Sequence, residues 1–156
     1  MVHTLRKRGF TLIEILVVIG IIAILAAIVI IAINPARQFA QARDSQRLAN
    51  VNAILNAIGQ NIADNKGVFT CTAGGAIPAA ATVMGSVTGD YDIRPCIVPT
   101  YMPEIPFDPS ASGAAITDTK YTVMQDATTK RVTVAAPEAL LETAISATPP
   151  AVTVTR

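Results

Sequence analysis

Met1-Val-His-Thr-Leu-Arg6-Lys7-Arg8-Gly9-Phe10-Thr11-Leu12-Ile13-Glu14-Ile15-Leu16-Val17-Val18, continuing to Ile33 with no further charge, is the stretch that decides the fold. A short basic leader runs directly into an apolar segment. From Phe10 to Ile33 is 24 residues, which as a helix reach roughly 36 Å, enough to cross the hydrocarbon core of a bilayer. Arg6, Lys7 and Arg8 precede the segment, and the next charge after Glu14 is Arg37. This bias keeps the leader in the cytoplasm and sends the rest of the chain across. A cleaved secretory signal has a shorter apolar core and a small-residue cleavage site, so it fits poorly. A plain signal anchor explains the flank and the run but gives no reason for Glu14.

A carboxylate inside a bilayer costs on the order of 2–3 kcal/mol even on gentle insertion scales, so it calls for a partner or a purpose. In a lone anchor Glu14 could reach back to the headgroups. In a fibre of packed N-terminal helices it could meet a positive charge on the next subunit, such as the α-amine made by cutting before Phe10. A buried unpaired charge is penalised more than a paired one, so the pairing would fix register. Physics alone leaves both readings open.

The run Arg6-Lys7-Arg8-Gly9-Phe10-Thr11-Leu12-Ile13-Glu14 resembles the prepilin signature of type IV pilins and type II secretion pseudopilins. The resemblance covers the leader and the apolar segment, about a fifth of the chain. It implies that a prepilin peptidase/methyltransferase cuts between Gly9 and Phe10 and methylates Phe10, and that Glu14 serves assembly. Many pilins bend their helix at a proline about one turn earlier than Pro35. Here Pro35 ends the apolar run, so a kink or break is expected near Asn34. Gly20 is a second soft point, or a place of close helix packing.

After Pro35, Leu48, Val51, Leu55, Ile58 and Ile62 recur at three- and four-residue spacing and predict an amphipathic helix with one apolar stripe. Arg37, Arg43, Asp44, Arg47 and Asn52 fall largely off that stripe, and Gly67 is the expected stop. Residues 68–116 are rich in Gly, Ala, Thr and Pro. They predict an exposed loop that contacts partners. Cys71 and Cys96 bracket its middle. Outside the cytoplasm a disulfide is the default for such a pair, with two buried thiols as the alternative. A bond closing that loop would contribute roughly 3 kcal/mol.

Tyr121/Val123 and Val132/Val134 alternate on either side of Asp126-Ala-Thr-Thr-Lys130, which predicts a β-hairpin. The segment Ile105-Pro-Phe-Asp108-Pro109 before it looks like the head region of pilins and of the major pseudopilin, where some members bind calcium. Asp108 and Asp118 are the weak calcium candidates, too few for a cation that prefers six to eight oxygens. The alternative is a proline-stiffened turn in which Asp108 bonds its own backbone. Leu140, Leu141, Ile145 and Val152-Thr-Val-Thr suggest another short strand, interrupted by Pro149-Pro150 and ending as an edge or a loose tail.

The fold class is therefore α+β, with a long N-terminal helix packed on a small antiparallel sheet. The expected divisions are a leader at 1–9, an assembly helix at 10–34, an amphipathic helix at 35–66 and a head at 67–156. Beyond the leader the charge is about −2, from nine basic and eleven acidic residues. That excludes a strongly basic nucleic-acid surface, though Arg37, Arg43 and Arg47 repeated along a fibre could act on DNA collectively. No phosphate loop, dinucleotide fingerprint or metal-ligand cluster is present, and the one histidine, His3, lies in the leader, so no enzyme and no cofactor are expected. The function expected is a pilin: an inner-membrane precursor, then an extracellular filament of copies of itself. Its partners are the prepilin peptidase and an inner-membrane assembly platform. The alternatives are a secretion pseudopilin or an anchored binding module that never polymerises.

Overall fold

The computed structural model describes residues 9–142 and 151–156. The chain divides into two compact units between Gln38 and Phe39. In the first, helix α1 (Leu12–Ile33) is apolar on every side, and Leu12–Ile30 is long and apolar enough to cross a membrane. Its mean hydropathy is 3.2 and none of that window is buried within the chain. Gly20 lies mid-helix with nothing near it. The run breaks at Asn34, which takes the left-handed conformation (φ 45°). Asparagine is among the few non-glycine residues that do so readily. Pro35 then opens helix α2 (Pro35–Asp64) at a position where its missing N–H is no loss.

The second unit is built on α2 from Phe39 onward. Strands β1 (Thr82–Gly85), β2 (Asp118–Gln125), β3 (Val132–Ala136) and β4 (Val152–Thr155) form one antiparallel sheet in chain order. A one-turn helix α3 (Arg94–Ile97) and a 3-10 turn (Pro137–Leu141) complete the elements. Val51, Ile54, Leu55, Ala57 and Ile58 of α2 share one core with Tyr121, Val123, Val132 and Val134 of the sheet. Each large apolar side chain so buried contributes about 1.5–3 kcal/mol. In β2 the inward set Thr119, Tyr121 and Val123 alternates with less buried neighbours, as one covered sheet face requires. Asn50 on α2 donates to the Tyr121 hydroxyl at 2.9 Å, adding a polar tie across the core.

The hairpin appears where the alternation places it. Asp126 closes its turn by accepting from the Thr128 and Thr129 N–H groups at 2.9 and 2.6 Å. Helix α2 ends at Asp64, and Gly67 (φ 89°) follows, its N–H returning to the Ile62 carbonyl at 2.8 Å.

Other expectations need correction. Leu48 is 47% exposed; Val51, Leu55 and Ile58 are buried as the spacing predicts, and the buried face of α2 also takes in Ala40, Arg47, Ile54, Ala57 and Asn61. The stretch 68–116 is no open loop: Phe69, Ile77, Met84, Tyr91, Ile93, Ile97 and Ile105 are all in the core. It also supplies β1, whose register shifts between Val83 and Gly85. A Cβ at Gly85 would meet the Thr117 carbonyl at 2.5 Å, so only glycine fits there. The C-terminal strand exists as β4, an ordered sheet edge paired to β3. Arg6, Lys7, Arg8, Ile145, Pro149 and Pro150 lie outside the described residues.

Candidate functional site

Two constellations carry chemistry, one in each unit. The first is the start of α1. Gly9 and Phe10 precede the helix, and Phe10 is 83% exposed. Thr11 is the N-cap in extended conformation (φ −83°, ψ 152°). Its hydroxyl accepts from the Glu14 N–H at 3.3 Å, while Glu14 Oε2 accepts from both the Thr11 N–H and the Thr11 hydroxyl at 2.7 Å. This reciprocal capping box satisfies helix-start donors that would otherwise be left unpaired. Glu14 thus has a partner three residues away within its own chain, a local reason for an acid there that the sequence reading did not weigh. The acid also faces the positive end of the helix dipole.

The second constellation is in the head, and sequence reasoning missed it. Arg47 is fully buried on α2, and all five of its N–H donors are used. Nε and Nη2 grip Asp108 as a fork at 2.7 and 3.0 Å, and Nη2 also donates to the Ser110 hydroxyl at 2.7 Å. Nη1 donates to Asp44 at 2.7 Å and to Glu142 at 2.9 Å. Arg43, one turn earlier, holds both oxygens of Glu142 at 2.6 Å. Three carboxylates therefore face two guanidiniums, and Asp44 Oδ2 is buried without a partner among the described residues. Burial opposes the Arg47 charge, but the bonds to Asp108, Asp44 and Glu142 outweigh it and raise its pKa. Burial likewise opposes ionised Asp108, yet Arg47 and the Ser110 and Ala111 N–H groups hold its carboxyl below the usual range. Glu142 is drawn down to about 2, chiefly by Arg43.

The signal for Arg47 was available in register: it lies four residues before Val51 and seven before Ile54, on the apolar stripe itself. Asp44 lies three residues before it, but nothing local identifies its other partners, Asp108 and Glu142. Arg47 is buried, Arg43 is a third exposed and grips Glu142, and Arg37 is exposed. Asp108 and Asp118, the calcium candidates, each face a cation of the chain, Arg47 and Lys120 respectively. Asp108 also accepts from the Ser110 and Ala111 N–H groups at 2.9 Å, the turn role set beside calcium as its alternative. Among the described residues no group of three or more metal-ligating side chains occurs. Cys71 and Cys96 are disulfide-bonded with Cα atoms 5.1 Å apart, and the bond closes a separation of 25 residues. It ties the segment after α2 to α3, and Asn61 reinforces the junction by donating to the Thr70 and Cys96 carbonyls.

Residues 4–32 match the family described as the prokaryotic N-terminal methylation motif, the signature of type IV pilins and pseudopilins. The match covers the basic leader and most of α1, and the head lies outside it. No curated protein and no solved structure matches the chain.

Proposed function

We propose that the chain is the structural subunit of a type IV pilus-like filament, cut between Gly9 and Phe10, methylated on Phe10 and polymerised through its N-terminal helix. One observation carries this reading: the methylation motif sits on a helix whose membrane-length window is entirely unburied by its own chain. Before assembly, lipid covers that surface. In a filament, the same helices of other copies cover it. The unit that follows has its own closed core and its own disulfide, as suits a head displayed outside the cell.

In this reading residues 1–9 are the leader, 10–34 the assembly helix, 35–66 the helix leading into the head, and 67–156 the rest of the head. Hydrolysis before Phe10 leaves the Phe10–Thr11 amide intact, so the capping box survives processing and presents the Glu14 carboxylate at the helix start. In the filament that carboxylate meets the methylated amine of a neighbouring copy, which fixes register because a mismatched subunit would bury an unpaired charge. The role is structural and non-enzymatic. The partners are further copies, a prepilin peptidase/methyltransferase and an inner-membrane assembly platform.

Mass spectrometry of the N-terminal peptide tests this, in sheared surface material and in the cell pellet. A peptide beginning at methylated Phe10 in the sheared fraction is the expected result. The same peptide confined to the pellet would place the chain among secretion pseudopilins instead. An intact leader in a host with active peptidase would leave a simple membrane anchor.

A further inference from the structure

A groove of about 480 Å³ runs along the C-terminal half of α2 beside the start of β3, within the size range of small-molecule sites. Half-buried Ile62, with the core side chains Leu55, Ile58 and Val132 beneath it, gives the groove an aliphatic floor, and Lys130 and Arg156 bring two positive charges. All eleven acidic residues of the chain are among the described residues, yet none forms an ion pair with either cation. Asp126, close to Lys130 in the chain, commits its carboxylate to the Thr128 and Thr129 N–H groups. The Arg156 guanidinium is held by neutral acceptors, the side-chain oxygens of Asn52 (3.3 Å) and Asn56. It is positioned without an acidic side-chain partner.

Gly59 adds an independent observation. It lies inside α2 and lines the groove, where glycine is the poorest helix former after proline. A Cβ there would meet nothing within 4 Å, so no contact within the chain requires glycine. A glycine there leaves that stretch of the groove wall without a side chain. Apolar lining, two cations without acidic side-chain partners and a wall with no side chain at Gly59 suit an occupant that is apolar along its length and negative at one end. A second copy presenting the same face would set Lys130 and Arg156 against their own like charges. We propose that the groove binds a single-chain amphiphile with an anionic head, of the fatty-carboxylate or alkyl-phosphate class. The head would pair with Lys130 and Arg156, and the chain would lie over Leu55, Ile58 and Ile62.

The test is photolabelling of the full-length protein in its native membranes with a diazirine-bearing fatty acid, followed by peptide mapping. Labelling of the apolar helix α1 serves as internal reference, so the result does not depend on filament formation. The expected result is labelling of the peptides around 55–63 and 130–132. That labelling should fall at least about tenfold, relative to α1, in a Lys130→Gln/Arg156→Gln double variant, because each charge-assisted contact is worth about a decade in affinity. It should also fall in Gly59→Leu, whose side chain would fill the groove. The methyl ester and an alkylammonium analogue should label the groove no better than these variants do. Near-UV circular dichroism checks that the head is folded, and the charge variants stand alone if Gly59→Leu is not. A diazirine phosphatidylglycerol run in parallel distinguishes a bilayer lipid from a free fatty acid as the source. Equal labelling across the variants, or by the alkylammonium probe, would overturn the proposal. So would capture of a second copy or an acidic peptide by a photoreactive residue at Gln60 with no charge-dependent probe labelling.

Discussion

Replacing Arg47 by methionine keeps most of the side-chain volume and removes the charge around which the head is organised. Five hydrogen bonds are lost, and the Asp108 carboxylate, with no exposed surface, is left without a cation. Glu142 retains Arg43 and so remains compensated. Breaking a buried pair by removing one partner costs about 3–5 kcal/mol, which for a head of this size corresponds to a Tm lowered by roughly 10–20 °C. The three tyrosines, Tyr91, Tyr101 and Tyr121, all lie in the head and the chain has no tryptophan. The tyrosine band of the near-UV circular dichroism of the detergent-solubilised chain, with the disulfide kept oxidised, therefore follows head unfolding. The deficit should shrink on acidification, because Asp108 without its cation protonates more readily, and a protonated carboxyl no longer needs one. An Arg47→Met/Asp108→Asn double variant should recover part of the loss. A single-variant loss under about 1 kcal/mol, or a double variant whose losses simply add, would refute the claim that this pair is energetically coupled.

Acid should unfold the wild-type head in a defined window. The carboxyls of Glu142, about 2 in the folded state, and of Asp108 are both lowered by folding, so their contribution is full above about pH 4.5 and is lost as pH falls towards 2; denaturant midpoints measured across that range check it. Arg43→Gln should cost only about 1 kcal/mol, because Arg43 is a third exposed and its pair with Glu142 is solvent-screened; urea unfolding at neutral pH reads the difference. Removing the disulfide as Cys71→Ser/Cys96→Ser should cost roughly 3 kcal/mol for a loop of this length, visible as a lower Tm. Glu14→Gln should insert in the membrane and be cut at Gly9 as before, yet yield less sheared filament; wild-type yield would show that the carboxylate serves only its own capping box.

The apolar helix was legible because an uninterrupted run at that length admits few other structures, and the hairpin because β2 and β3 keep strict alternation around a turn-forming Asp126. The disulfide followed from two cysteines in one segment. β1 was not legible: four residues in a Gly- and Ala-rich setting carry almost no periodicity, and a bulge at Gly85 breaks even that. Arg47 falls off the stripe drawn through Leu48, and burying it relies on Asp44 beside it together with acids 61 and 95 residues downstream. Helical register could have flagged it; the identity of its partners is a property of tertiary structure. The same limit applies to the groove, where Lys130 and Arg156 join α2 only once the sheet has formed.

The long reach of those contacts has a consequence for how the protein is made. Arg47 is synthesised early, and the last residue of its cage, Glu142, comes 95 residues later. Until that residue is available, the guanidinium has Asp44 and Asp108 but lacks the third carboxylate of its cage. The cage around Arg47 is therefore completed only near the end of synthesis. It closes in one late, cooperative event, as contacts of large sequence separation require. A nascent chain stalled short of Glu142 would carry an exposed apolar stripe, and quality-control proteases would recognise it as unfinished however complete its membrane anchor.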